Sequence, residues 1–265
     1  MIDNYFYGDT MKHAFLAAIG LALTTSFVPE VQAYPSNWSC SGTCGTMGAD
    51  GVVTAPPEGS SYDYITTRGA GSNDGLGLGD ETNGSVLTSN VFDAKAGDNL
   101  RFYFNFVTSD GAGFSDYAWA RLFNLQTNDY TYLLTARTQP SGTIIPGSGL
   151  PDIGAVLTPV SVPIIGGGPN WSALGNDSGS CYDSGCGYTG WVRSDYILAS
   201  EGQYRLEFGV VNWDDTAYNT GLAVSGAQIN EEPIGDVPEP ASLLLIGGGL
   251  AGLLGARRRK PQARG

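Results

Sequence analysis

Four aspartates are the residues best placed by type and spacing to act together. Asp110 and Asp116 flank the loop Thr108-Ser109-Asp110-Gly111-Ala112-Gly113, and Asp214 and Asp215 sit in Asn212-Trp213-Asp214-Asp215-Thr216. A hard divalent cation takes oxygen ligands from loop carboxylates and carbonyls, so calcium is the ion this set suits if the two loops meet. The plainer reading is solvated aspartate that forms turns. Tyr117, Trp119, Trp171, Trp191 and Trp213 are candidate ligand contacts, because aromatic faces stack on sugars while acids and amides hold hydroxyls. Core packing is the competing use of such rings. Glu207 and Glu201 raise a glycoside hydrolase as a further alternative, since two carboxylates suffice for that chemistry. Arg205 stands two residues before Glu207 and is placed to pair with it.

Other chemistries lack their residues. The one histidine, His13, lies near the N-terminus in a segment that reads as a signal peptide. A mature chain without histidine has no Ser-His-Asp or Cys-His catalysis and no His-ligated zinc. No catalytic residue is therefore assigned, and a non-enzyme is expected. The four cysteines are Cys40, Cys44, Cys181 and Cys186. An even count in an exported chain implies two disulfides. Each short spacing holds glycine and favours local pairs, 40–44 and 181–186. Pairing between the clusters is the main alternative, and a four-thiolate zinc site the third.

The elements that must position these residues are strands. Glycine is abundant, at 39 of 265 residues, and long charge-rich helical patterns are missing. Leu100, Phe102, Phe104 and Phe106 alternate with Arg101, Tyr103 and Asn105, which predicts a strand with the first set in the core. Tyr204, Leu206, Phe208 and Val210 alternate likewise with Arg205 and Glu207. Further strands are predicted over 62–68, 86–92, 116–123, 130–137, within 188–198, and over 222–229. The stretch 155–165 is broken by Pro159 and Pro163 and reads as an edge strand or extended loop. Short strands between Gly, Asn, Asp and Ser clusters predict an all-β fold, a jelly-roll-like antiparallel β-sandwich.

Both ends differ from this body. Met11-Lys12-His13, the apolar run from Ala14 and the small residues of Val31-Gln32-Ala33 predict a signal-peptide helix starting at Met11 and cleaved by signal peptidase after Ala33. At the other end, Pro238-Glu239-Pro240 is followed by an apolar run from Ala241 to Ala256, then by Arg257, Arg258, Arg259 and Lys260. The prolines keep a helix from starting before them. The 16-residue run predicts a short transmembrane helix with its basic stop on the cytoplasmic side. The layout expected is 1–33 extension and signal peptide, 34–230 β-sandwich, 231–236 acidic linker and 237–265 tail. Between Tyr34 and Asp236 stand 22 acidic and seven basic residues, a balance that excludes nucleic acid as a partner.

Val237-Pro238-Glu239-Pro240-Ala241-Ser242, the helix and the Arg-Arg-Arg-Lys stop resemble the PEP-CTERM sorting signal. That resemblance implies a Gram-negative cell, recognition of Pro238, Glu239 and Pro240 by a membrane-embedded exosortase, a transient inner-membrane anchor, and delivery to the surface or the extracellular polysaccharide matrix. Segments 103–111, 116–121, 186–191 and 208–213 of the body resemble a family of exported proteins with such tails, which brings no known activity. Asp215-Thr216-Ala217-Tyr218 with Gly221-Leu222-Ala223-Val224 is similar to the last strand of jelly-roll carbohydrate-binding modules, where an Asp often follows; here Ser225 stands at that place. The function expected is a non-enzymatic structural or adhesive component, with a calcium-dependent carbohydrate-binding module as the alternative.

Overall fold

The computed structural model describes residues 38–71 and 75–235. The expected signal peptide and transmembrane helix, the sorting residues Pro238–Pro240 and the basic stop lie outside the described residues.

The strands, in chain order, are β1 (Ser39–Ser41), β2 (Thr43–Gly48), β3 (Ser61–Thr66), β4 (Glu81–Thr88), β5 (Phe92–Ala94), β6 (Asn99–Thr108), β7 (Tyr117–Asn124), β8 (Asp129–Arg137), β9 (Val156–Thr158), β10 (Ile165–Gly166), β11 (Gly187–Tyr188), β12 (Val192–Ile197), β13 (Gly202–Trp213), β14 (Thr220–Ile229) and β15 (Glu232–Pro233). A 3₁₀ segment spans Ser172–Asp177. One sheet runs β1-β4-β13-β7-β8, with β5 also on β13. The other runs β10-β11-β6-β14-β3-β2, with β12 on β6 and β9, and β15 on β14. All pairings between these strands are antiparallel. The chain changes sheet seven times, from β1 to β2, β3 to β4, β5 to β6, β6 to β7, β8 to β9, β12 to β13 and β13 to β14. That connectivity makes the sandwich a jelly roll.

The period-two pattern explains the core. Leu100, Phe102, Phe104 and Phe106 of β6 are fully buried, and so are Leu206, Phe208 and Val210 of β13. Phe102 meets Phe208 edge to face at 5.0 Å across the two sheets. Each such phenyl ring contributes about 2–3 kcal/mol by leaving water. Asn105 lies on the outward face of β6 and is buried nonetheless. Val53, Trp171, Ala173 and Leu174 pack with Val107 and Ala223 as a partial third layer outside that sheet.

Two features differ from the sequence reading. Residues 39–48 form β1 and β2 around the first cysteine pair, where no strand was expected. Residues 231–235, expected as a linker, dock instead: β15 pairs with β14, and Ile234 is buried in the core. Its carbonyl accepts a hydrogen bond from Trp38 Nε1 at 3.2 Å. The N-terminal and C-terminal edges of the folded body therefore clasp each other. The proline-broken stretch contributes only the short β9 and β10.

Antiparallel pairing brings six strand termini to one end. β3, β6 and β13 finish there, and β4, β7 and β14 begin there. The loops that follow Thr66, Thr108 and Trp213 are thereby neighbours, although they are far apart in sequence.

Candidate functional site

That end of the sandwich holds a buried polar cluster. Asp110 and Asp116 are both fully buried, one just after β6 and the other just before β7. Asp116 Oδ1 accepts the Trp213 amide at 2.9 Å. Its Oδ2 lies 2.5 Å from the Thr220 hydroxyl, which lies 2.7 Å from the Thr108 hydroxyl. Thr108 Oγ1 in turn accepts the Asp110 amide at 3.1 Å. A continuous polar path thus links the two acids across β6 and β14. Asp110 Oδ1 accepts the Gly111 amide at 2.7 Å, but its Oδ2 is buried with no partner.

Asn212 adds to the imbalance. It is fully buried on the inward face of β13, one residue before the amide that holds Asp116. Neither Oδ1 nor Nδ2 of its side chain has a partner. Buried groups of this kind are nearly always satisfied, and each one left open costs about 1–3 kcal/mol.

Charge at this end is correspondingly unfavourable. Burial pushes the Asp110 carboxyl up to about 7, against the Gly111 hydrogen bond, with Asp215 and Asp177 raising it further. Burial also holds Asp116 well above the usual carboxylate range; the Thr220 hydrogen bond opposes this and Asp110 adds to it. Asp177, half-buried, accepts the Asn219 amide at 3.0 Å and its Nδ2 at 2.6 Å.

A loop from elsewhere in the chain closes the end. The Cys181–Cys186 disulfide ties a five-residue separation into a tight loop, and the Tyr182 amide donates to Ser109 O at 3.0 Å while the Ala112 amide donates to Ser184 O at 2.8 Å. A Cβ on Gly111 would meet Asp183 Cβ at 2.6 Å, so glycine is what lets the two loops touch. Tyr182 packs between Phe114, at 5.5 Å, and Tyr218, at 5.0 Å. The first disulfide joins Cys40 to Cys44.

The four predicted aspartates are thus treated unequally. Asp110 and Asp116 come together, and Asp215 is near enough to disfavour the charge on both. Asp215 Oδ1 is occupied by the Ala217 amide at 2.8 Å. Asp214 is exposed, at a left-handed turn with φ 68°. Among the described residues, no group of three or more His, Cys, Asp or Glu side chains converges as a metal cage. Any cation here would rely on two carboxylates with neutral oxygens. Asn212, Thr108 and Thr220 were not read from the sequence as site residues. A signal for Asn212 existed, because it continues the inward register of Phe208 and Val210.

The predicted aromatic contacts serve mainly as structure. Trp119 is buried over Gly209, under the Arg121 guanidinium at 4.4 Å. Trp171 is buried and donates from Nε1 to Tyr62 Oη at 2.9 Å, and Tyr117 is buried beside Glu81. Trp191 is half-buried, edge-on to Tyr62 at 5.6 Å, and Trp213 is half-buried beneath the Arg137 guanidinium at 4.2 Å. Glu207 is held by Arg121 at 2.7 Å and Arg205 at 3.2 Å. Glu201 precedes β13, six residues from Glu207 and so roughly 20 Å away along the strand, too far for a glycosidase pair at about 5–9.5 Å. A cleft of about 270 Å³, absent from the sequence reading, is lined by Trp38, Glu58, Tyr62, Asp63, Ser225 and Ile234. Burial pushes the Asp63 carboxyl up to about 6 there, against a hydrogen bond from Thr46.

Residues 236–260 match the model of a family described as the PEP-CTERM protein-sorting motif. The chain carries a PEP-CTERM tail. The match includes Pro238, Glu239, Pro240 and the basic stop Arg257–Lys260. A PEP-CTERM tail marks an exported protein, held by a C-terminal membrane anchor until exosortase processes it. Among the described residues no helix is long and apolar enough to cross a membrane, and the predicted span 241–256 lies outside them. No curated protein matches the chain. Among solved structures, the K1 cleaved adhesin domain of Lys-gingipain from Porphyromonas gingivalis W83 is similar at 13% identity and TM-score 0.34, over 74% of this chain and 94% of that one. TmCBM61, solved with β-1,4-galactotriose, is similar at 11% identity and TM-score 0.33, over 72% and 89%. An exo-β-agarase is similar at 10% identity and TM-score 0.31, over 82% of this chain and 26% of that one. Likeness at this level carries no functional argument.

Proposed function

We propose that the PEP-CTERM protein is a non-enzymatic structural or adhesive component of the cell surface or extracellular polysaccharide matrix of a Gram-negative bacterium. The observation that carries this reading is the sorting motif at 236–260, attached to a disulfide-bonded sandwich. The buried or covered tryptophans and the doubly paired Glu207 support a scaffold role. An adhesive role would draw on the cleft beside Trp38, where Glu58, Asp63 and Ser225 offer oxygens to sugar hydroxyls.

Deleting Pro238–Pro240 and fractionating the cells tests the reading. Retention in the inner membrane is expected, and unchanged delivery to the surface would refute it. Capture of matrix polysaccharide by the released protein then separates an adhesive component from a purely structural one.

A further inference from the structure

We infer that the buried end of the sandwich is a calcium site built on Asp110, Asp116 and Asn212. Three observations carry the inference. Asp110 Oδ2 is an acceptor without a donor, in a residue with no exposed surface. Asn212 Oδ1 is a second such acceptor, on the strand whose next amide holds Asp116. Third, no basic side chain forms an ion pair with either acid among the described residues: Arg137 comes near, but donates to Ser115 O at 3.0 Å and stacks on Trp213 at 4.2 Å. All four ion pairs found among the described residues lie elsewhere, on Asp195 and Glu207.

What these acceptors lack is a positive centre that tolerates mixed oxygen ligands. A proton on one carboxyl satisfies a single oxygen. Calcium takes six to eight oxygens in flexible geometry and accepts amide, hydroxyl and carbonyl donors beside carboxylate. Two carboxylates and the Asn212 amide oxygen supply the charge and direction, with the Thr108 and Thr220 hydroxyls beside them. Magnesium demands a stricter octahedron of shorter bonds and gives up its waters reluctantly, so it suits a closed cluster less well. The Cys181–Cys186 loop packs against the loop after β6, and Asp110, Asp116 and Asn212 have no exposed surface. The ion would therefore lock the end loops of β6, β13 and β14 to one another.

The test uses the full chain, purified in detergent, stripped with EDTA and titrated with CaCl2 at pH 7.5. Thermal melting and calorimetric calcium binding are read together. Calcium at about a hundredfold over its Kd is expected to raise Tm by about 5–10 °C, with EDTA reversing the rise. Asp110→Asn removes one carboxylate without changing shape, and this variant is expected to lose the calcium-dependent rise and most of the heat of binding. Its EDTA-treated form should melt at or above the wild-type temperature, which shows that the variant folds. A Tm indifferent to calcium in the wild type, or a rise kept in full by Asp110→Asn, overturns the inference.

Discussion

In calcium-free buffer, replacing Asp110 with asparagine should stabilise the protein, and increasingly so as pH rises. The Asp110 carboxyl is pushed up to about 7 in the folded state, against about 3.9 in an unfolded chain. The folded state thus binds more protons than the unfolded state between those values. Stability then falls as pH rises, because the slope follows the difference in bound protons. Below about pH 4 both states are protonated and the group contributes nothing; above about pH 7 the whole penalty is in force. Three pH units at 1.36 kcal/mol each set a ceiling of about 4 kcal/mol. Local relaxation and an effective dielectric near 20 bring the working figure to about 2 kcal/mol. Asparagine keeps the acceptor for the Gly111 amide and carries no charge to desolvate. Urea denaturation in EDTA, followed by tryptophan fluorescence from pH 4 to 8, is the assay. The two proteins should be equally stable at pH 4, with the variant ahead by about 1–2 kcal/mol at pH 8. Because Asp116 is raised in the same direction, the variant keeps a shallower slope of the same sign. Parallel curves for the two proteins would falsify the reasoning, since they would mean that Asp110 does not titrate differently on folding.

Two further perturbations test the packing. Phe104→Ala removes a fully buried ring between the sheets and should cost about 3–5 kcal/mol, seen as a lower urea midpoint at unchanged m-value. A loss under 1 kcal/mol would mean that the two sheets do not close on that ring. Trp38→Ala removes the stack on Phe208 at 6.1 Å and the hydrogen bond to Ile234 O. It should cost about 3 kcal/mol and make residues 231–235 a site of early proteolysis, whereas an unchanged cleavage pattern would show that β15 stays docked without the indole.

Much of the fold was legible because period-two burial is a local signal. The inward sets on β6 and β13 follow from alternation alone, and both strands extend only one or two residues beyond the predicted limits. What stayed hidden depended on distant partners. β1 and β2 have little apolar patterning and exist through their pairing with β4 and β3. Trp119 and Asn105 face outward by register and are buried because loops fold over both sheets. For the site, the acids of the β6–β7 loop were readable as a pair. The exclusion of Asp214 was not, since it rests on one left-handed residue in the following turn. The docking of 231–235 was masked by acidic composition, although Ile234 alone supplies the apolar anchor.

The two ends of the jelly roll divide the work of the molecule. β14 runs ten residues from Thr220 to Ile229, roughly 33 Å at strand rise. The acid cluster sits at its start. The clasp of Trp38 on Ile234 and the start of the tail lie toward its finish. Three residues separate Ile234 from Pro238, and the four Cα-to-Cα steps between them reach no more than about 14 Å when fully extended. The sorting motif is therefore close-coupled to the body, with no long spacer between them. A processing enzyme must either approach β15 to that distance or work on a chain whose last strand has released. The cluster of Asp110, Asp116 and Asn212 lies at the other end, away from the point where the tail leaves, and a ligand bound there need not compete with sorting. If the proposed calcium site is loaded, the ion binds about the length of β14 away from the edge where the tail leaves, so that Asp110→Asn should abolish the calcium response without changing the processing of the tail.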